Sequence, residues 1–314
     1  MMTSNPDEAR NALLGSQAPL PRHAAPRSDL QQTLSGLPPN RRRELEVARA
    51  VAEEAGRVLV DCAGKVVGER KADGTLVTEA DRRVDRLIRD RLSVAFPGDE
   101  LISEEIGTGY RGARRAWVID PLDGTANFCA GVPLWGVTMA LVVDGRPVVG
   151  VSLFPKLGMS FCAVEGAGAW LGERRLWTLD RADYGAADLI AMCSRTPRHF
   201  ALDLEARRRV LGSAALNFAL VAAGTFRASI SATARLWDLA AGWLIVEQAS
   251  GVVHVLDGPS PWPLEPGDYA ARAFPTLASA TAAIHAQTRL RVRAHPHLAD
   301  EVAPADGVAA IVRD

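Results

Sequence analysis

Three apolar runs in this chain end on carboxylates, and that pattern limits the available folds more than any other feature. Ile102-Ser103 leads into Glu104-Glu105, and Leu236-Trp237 leads into Asp238. Between them, Trp117-Val118-Ile119 leads into Asp120-Pro121-Leu122-Asp123-Gly124-Thr125. A carboxylate at the end of a core element is poorly hydrated and needs a partner or a cation. A workable fold therefore gives each of these acids solvent, a partner or a cation. Oxygen ligands with no His or Cys among them suit Mg²⁺ or Mn²⁺ rather than zinc. Within 120–125, proline rigidifies the turn, two acids three apart can face one pocket, and Gly124 permits close backbone approach. A helix opening at Gly124-Thr125 would favour an anion such as phosphate. Cations beside an anion site are the parts of a phosphoryl-transfer centre.

The apolar periods around these acids are those of an α/β protein. Leu45, Ala48, Val51, Ala55, Leu59 and Cys62 recur at helical spacing from Arg43 onward, and Val84, Leu87, Ile88 and Leu92 mark a second helix that stops at Phe96-Pro97-Gly98. Short strands are expected at Glu100–Ser103 and Ala116–Ile119. Val137–Val143, Asp144-Gly145 and Val148–Phe154 predict a hairpin, with a further strand over Gly158–Val164. Arg174–Ala187 reads as a linker. After it come a strand (Leu189–Cys193), helices near His199–Leu211 and Ala214–Ala223, and a strand at Phe226–Ile230. A helix after Trp237, a strand Val252–Leu256 and a helix near Leu277–Gln287 complete the pattern. The expected division is a tail over 1–40, an α+β half over 41–185, an α/β half over 186–290 and a second tail over 291–314. Six prolines without an apolar period make residues 1–40 read as disordered.

Composition closes off several function classes. With 36 basic and 37 acidic side chains, the chain lacks the cationic excess of a dedicated nucleic-acid binder. No run approaches the ~18 apolar residues of a membrane span. Four scattered cysteines, with no Cys-x-x-Cys pair, argue against a disulfide framework or zinc site and suit a reducing cytoplasm.

Residues 117–128, Trp-Val-Ile-Asp-Pro-Leu-Asp-Gly-Thr-Ala-Asn-Phe, resemble the signature of the inositol monophosphatase family of Mg²⁺-dependent, lithium-sensitive phosphatases. Val77-Thr-Glu-Ala-Asp81, Ile102-Ser-Glu-Glu105 and Trp237-Asp-Leu-Ala-Ala-Gly242 match in the same order, so the resemblance spans roughly Arg43 to Ser279. It implies an αβαβα layered sandwich and a commonly dimeric enzyme acting on a small-molecule phosphate ester. It also implies that Glu104, Asp120 and the Leu122 carbonyl hold an activating Mg²⁺, and that Asp120, Asp123 and Asp238 hold a second. A third, weaker ion would sit near Glu104, with Mn²⁺ a possible substitute. Glu104 and Thr125 would orient the attacking water, Asp81 would accept a hydrogen bond from Thr125, and the Gly124 and Thr125 amides would hold phosphate. Ser213, Ala214, Ser231 and Asp238 are the remaining substrate-contact candidates.

Several of these residues have plainer readings. Thr78-Glu-Ala-Asp81 fits a helix capping box, a role compatible with the one above. Asp238 by itself fits a helix cap. Glu105 stands beside Glu104 as an alternative acid, Lys71 faces either phosphate or solvent, and His295-Pro-His297 reads as an exposed tail pair. Ser231 falls where inositol phosphatases carry a glutamate that contacts the substrate, which weakens the case for strict inositol 1-phosphate selectivity. Lys71–Asp81 and Pro133-Leu-Trp-Gly136 look like family members that act on histidinol phosphate. The substrate expectation is therefore a small polyol or sugar phosphate, nominally inositol 1-phosphate. Histidinol phosphate, fructose 1,6-bisphosphate and 3′-phosphoadenosine 5′-phosphate are the alternatives within the family. A regulatory or binding protein that keeps the fold is the reading from another class.

Overall fold

Alternating side chains along two central strands send their apolar groups to opposite faces, and the layers follow from that alternation. The computed structural model describes residues 30–71, 76–178 and 181–295. Its helices are α1 (Leu30–Gly36), α2 (Pro39–Cys62), α3 (Glu79–Ala95), α4 (Thr125–Ala130), α5 (Thr196–His199), α6 (Ala214–Ala222), α7 (Leu236–Gln248) and α8 (Ala282–Leu290). The strands through the first sheet are β1 (Glu69–Arg70), β2 (Leu76–Val77), β3 (Glu100–Ser103), β4 (Gly109–Tyr110), β5 (Arg115–Asp123), β6 (Gly136–Val143), β7 (Arg146–Phe154), β8 (Met159–Val164), β9 (Gly168–Leu171) and β10 (Arg174–Arg175). Then come β11 (Leu189–Met192), β12 (Phe200–Leu202), β13 (Arg207–Arg209), β14 (Ala228–Ser231), β15 (Val252–Val255), β16 (Gly267–Asp268), β17 (Thr276–Ser279) and β18 (Val292–Ala294).

A seven-stranded sheet of order β10-β9-β8-β7-β6-β5-β3 is antiparallel except where β3 lies parallel to β5. On one face, Trp117, Ile119, Met139 and Leu141 pack with Leu45, Ala48, Val84 and Ile88 of α2 and α3. On the other, Val118, Ala140 and Val142 pack with Leu216 and Phe218 of α6 and with Leu239 and Trp243 of α7. Helices α6 and α7 are apolar on nearly every side because a second sheet covers them from behind. That sheet has the order β13-β11-β14-β17-β15, and Ile284 of α8 packs on its far face against Ile190, Ile230 and Leu277. The layers therefore run α-β-α-β-α.

The register of β5 with β6 shifts between Asp120 and Asp123. Three residues on β5 span what two span on β6, so Pro121-Leu122 forms a bulge inside a strand longer than the Ala116–Ile119 expected. In a regular strand Asp120 and Asp123 would face opposite sides; the extra residue turns both toward one place.

Several expectations need correcting. The stretch taken as a tail to residue 40 contains α1, whose Leu30 and Leu34 are buried four apart in the first core. Residues 1–29 lie outside the described residues. The helix expected near His199–Leu211 is instead α5 followed by β12 and β13. Non-local pairing decides this segment: β13 lies parallel to β11, and β12 pairs with β18. The same pairing brings Val292–Ala294 out of the expected C-terminal tail, whose residues from 296 on, His297 among them, lie outside the described residues. In the expected linker, Arg174 and Arg175 extend the first sheet as β10. No helix among the described residues is long and apolar enough to cross a membrane.

Candidate active site

The end of β5 and the starts of three helices meet at one cavity. The β5 strand delivers Asp120 and Asp123, and at Gly124 the chain turns with φ +87° into α4. A Cβ on Gly124 would lie 2.8 Å from the Leu134 carbonyl oxygen, so both backbone conformation and space require glycine there. Asp238 enters from the first turn of α7, accepting a hydrogen bond from the Arg235 amide at 2.7 Å. Ligand atoms of Asp120, Asp123 and Asp238 all lie within 4.8 Å of one another. These three acids, with Glu104, Leu122, Gly124 and Thr125, line a cavity of about 360 Å³. Arg70, Leu76, Ala126 and Gly212 complete its described lining.

Burial and mutual repulsion set the protonation of these acids. Burial, then repulsion from Glu104, Asp123 and Asp238, holds the Asp120 carboxyl well above the usual range. Asp238 is raised likewise by burial, then by Asp123 and Glu104. Asp123 is pushed up to about 6 by burial, against hydrogen bonds that favour its charged form. Glu104 is raised to about 7 by burial, partly offset by Lys71. Four carboxylates with oxygen-only donors and mutual repulsion fit a hard divalent cation, which relieves that repulsion.

The plainer readings resolve oxygen by oxygen. Asp81 does both things proposed for it. Its Oδ2 accepts from the Thr78 amide at 2.8 Å and the Thr78 hydroxyl at 2.6 Å, closing a capping box on α3. Its Oδ1 accepts from Thr125 Oγ1 at 3.1 Å. The same hydroxyl lies 3.0 Å from the Leu122 carbonyl oxygen, so its proton is directed to these acceptors and its lone pairs remain for a hydrogen from the cavity. Lys71, partly exposed, pairs with two acids: its Nζ lies 3.1 Å from Glu104 and 2.5 Å from Glu105. Glu105 is thereby occupied by Lys71 and is not part of the cavity lining.

Ser213 and Ala214 turn to Asp123. The Ser213 hydroxyl donates to Asp123 Oδ2, and the Ala214 amide donates to Oδ1 at 3.0 Å. These contacts tie the start of α6 to the end of β5. Ser231 is buried at the end of β14 and is not among the lining residues. Arg70, Leu76, Ala126 and Gly212 escaped the sequence reading. Gly212 adjoins Ser213 and Arg70 adjoins Lys71, so adjacency to named residues was the available signal. Asn127 fixes this wall: its Nδ2 donates to the Leu134 and Leu211 carbonyls at 2.7 and 2.8 Å.

Comparison with known proteins gives this geometry a family. The model of the inositol monophosphatase family matches residues 40–293. The chain belongs to that family. Its members are phosphoric monoester hydrolases, and the layered sandwich is the inositol monophosphatase fold. A histidinol-phosphatase of Chlorobaculum parvum is 34% identical over 221 residues, covering 66% of this chain and 84% of the relative. A fructose-1,6-bisphosphatase/inositol-1-monophosphatase of Aquifex aeolicus is 30% identical over 233 residues, covering 70% and 88%. Among solved structures, the Thermotoga maritima IMPase aligns with a TM-score of 0.67 at 29% identity, covering 79% of this chain and 95% of that one.

Proposed function

We propose that this chain is a Mg²⁺-dependent phosphomonoesterase of small polyol or sugar phosphates, with inositol 1-phosphate as its nominal substrate. One observation carries the reading: the Asp120, Asp123 and Asp238 carboxylates converge within 4.8 Å beside a cavity that Glu104 and Thr125 also line. Asp120, Glu104 and the Leu122 carbonyl would hold one hard cation, and Asp120, Asp123 and Asp238 would hold a second. Mg²⁺ bound there supplies Lewis acidity to an attacking water and to the leaving ester oxygen. The protein's own part is positioning. Thr125, its proton directed to Asp81 and Leu122, accepts a hydrogen from the water, and Glu104 accepts the other. Gly124 and Thr125 present backbone amides to phosphate at the start of α4.

Purified protein should release phosphate from inositol 1-phosphate in Mg²⁺, lose that activity in EDTA and regain it when Mg²⁺ is restored. Turnover that persists in EDTA contradicts the proposal. Millimolar lithium should inhibit, and insensitivity would argue against a close functional match while leaving metal catalysis standing. The similarity to a histidinol-phosphatase supports a second reading, histidinol phosphate as substrate, decided by assaying both esters at equal concentration. A purely regulatory role requires a cellular function that survives Asp123→Asn. A cytoplasmic homodimer belongs to the same proposal, and light scattering of the purified protein tests the dimer.

A further inference from the structure

Among the four acids that line the cavity, Glu104 alone belongs to neither β5 nor a helix; it follows the last residue of β3. Its amide donates to the Ile119 carbonyl at 3.3 Å. The turn it opens is closed by the Ser103 amide, which donates to the Gly107 carbonyl at 3.0 Å. Gly107 takes φ +88°, the left-handed conformation that lets so short a turn fold back. The Glu104 side chain meets Lys71 at 3.1 Å. A lysine on a flexible four-carbon stem fixes direction poorly, so the aim of the Glu104 carboxylate depends on the turn beneath it.

Asp85 of α3 supports that turn from behind. Asp85 and Ser103 are both 0% exposed, and the Ser103 hydroxyl donates to Asp85 Oδ1. The same hydroxyl oxygen lies 3.5 Å from the Glu105 amide, so one serine joins the buried acid to the Glu104-Glu105 backbone. Asp85 is not itself among the cavity's lining residues. Its Oδ2 is buried with no hydrogen-bond partner among the described residues, as is Arg89 Nη1 one turn along the helix. A carboxyl group in a core with one donor is a costly way to join a helix to a strand, and two apolar side chains would do it at lower cost. What the carboxyl group supplies, and an apolar pair lacks, is a directional acceptor for Ser103.

We propose that Asp85 is a positioning residue of the cation centre: acting through Ser103, it fixes the turn that aims Glu104 at the divalent ion. The inference rests on the metal-dependent reading given above. Hydrogen-bonded neighbours hold ligating side chains in register, and their loss typically weakens metal binding by about 10–100-fold.

The test measures Mn²⁺ binding to the full chain by electron paramagnetic resonance, with no substrate present. Asp85→Ala and Ser103→Ala should each weaken binding by about tenfold or more. The double variant should fall within about threefold of either single one, because all three lack the same link. Asp85→Asn keeps an acceptor for Ser103 and should stay within about threefold of the parent. Ile88→Val trims the packed face of the same helix without touching the link, and should leave Mn²⁺ affinity unchanged. In phosphate release, Asp85→Ala should raise the Mg²⁺ needed for half-maximal rate by about tenfold, with the rate at saturating Mg²⁺ within about threefold of the parent. Should Asp85→Ala not fold, Ser103→Ala, which removes a single oxygen, decides alone. Mn²⁺ affinity within about threefold of the parent in Ser103→Ala, or an equal loss in Ile88→Val, overturns the inference while leaving the cation centre. Parent protein that binds no Mn²⁺ removes the cation centre and this inference with it.

Discussion

At the scale of single residues, the site is built from carboxylates whose two oxygens do different work. Asp81 caps α3 through Oδ2 and accepts from Thr125 through Oδ1, so one side chain makes both of the hydrogen bonds expected of it. Asp120 has a less comfortable position: it is 1% exposed and accepts from the Leu122 amide at 3.0 Å, with three other acids raising its carboxyl. Asp120→Asn should therefore raise the melting temperature of metal-free protein by a few degrees, while lowering turnover by about 10²-fold or more. Calorimetry in EDTA paired with a phosphate-release assay checks both halves. Ser213 caps α6, accepting from the Leu216 amide at 3.2 Å, and donates to Asp123. Ser213→Ala should cost about 1 kcal/mol in urea unfolding and weaken Mg²⁺ binding. The family resemblance marked Ser213 and Ala214 as substrate-contact candidates. It held no sign that they turn to an acid 90 positions earlier, since separation in sequence says nothing of which hydroxyl meets which carboxylate.

At the scale of elements, periodicity was legible wherever an element buries one face. Helices α2 and α3 and the β6–β7 hairpin fall close to where their apolar spacing puts them. Strand β13 could not be found that way, because three exposed arginines carry no period and only parallel pairing with β11 makes them a strand. Helix α1 was hidden by the prolines around it, although Leu30 and Leu34 are fully packed. Leu34→Ala should destabilise the protein by about 2–4 kcal/mol, a loss that a dangling tail would not produce. Where α8 meets β15, His254 Nδ1 lies 3.1 Å from His285 Nε2. Burial, then the charges of His254 and Arg289, pushes the His285 imidazole down to about 4 from an ordinary 6.5. The unfolded chain therefore takes up this proton first, and stability should fall as pH drops from about 6.5 toward 4, then level off. His285→Gln should flatten that part of the urea-midpoint profile.

For the molecule as a whole, the layering explains why acids far apart in the chain reach one cavity. Helices α6 and α7 are clamped between two sheets, which fixes their first turns, and with them Ser213 and Asp238, against the bulged end of β5. The four ordered motifs made this convergence readable from sequence; the bulge, the Ser213 clamp and the Arg70 wall depended on three-dimensional register. A cluster of buried, mutually repelling carboxylates also predicts that Mg²⁺ stabilises the fold. Saturation to 100 times Kd should add about 2.7 kcal/mol, read as a rise in melting temperature that EDTA reverses. The central claim is that Asp120, Asp123 and Asp238 form one divalent-cation centre. Anomalous diffraction from crystals soaked in Mn²⁺ addresses it most directly. The account predicts peaks about 2.0–2.3 Å from oxygens of all three side chains; a map in which no peak lies within coordination distance of Asp238 and Asp120 together would contradict it.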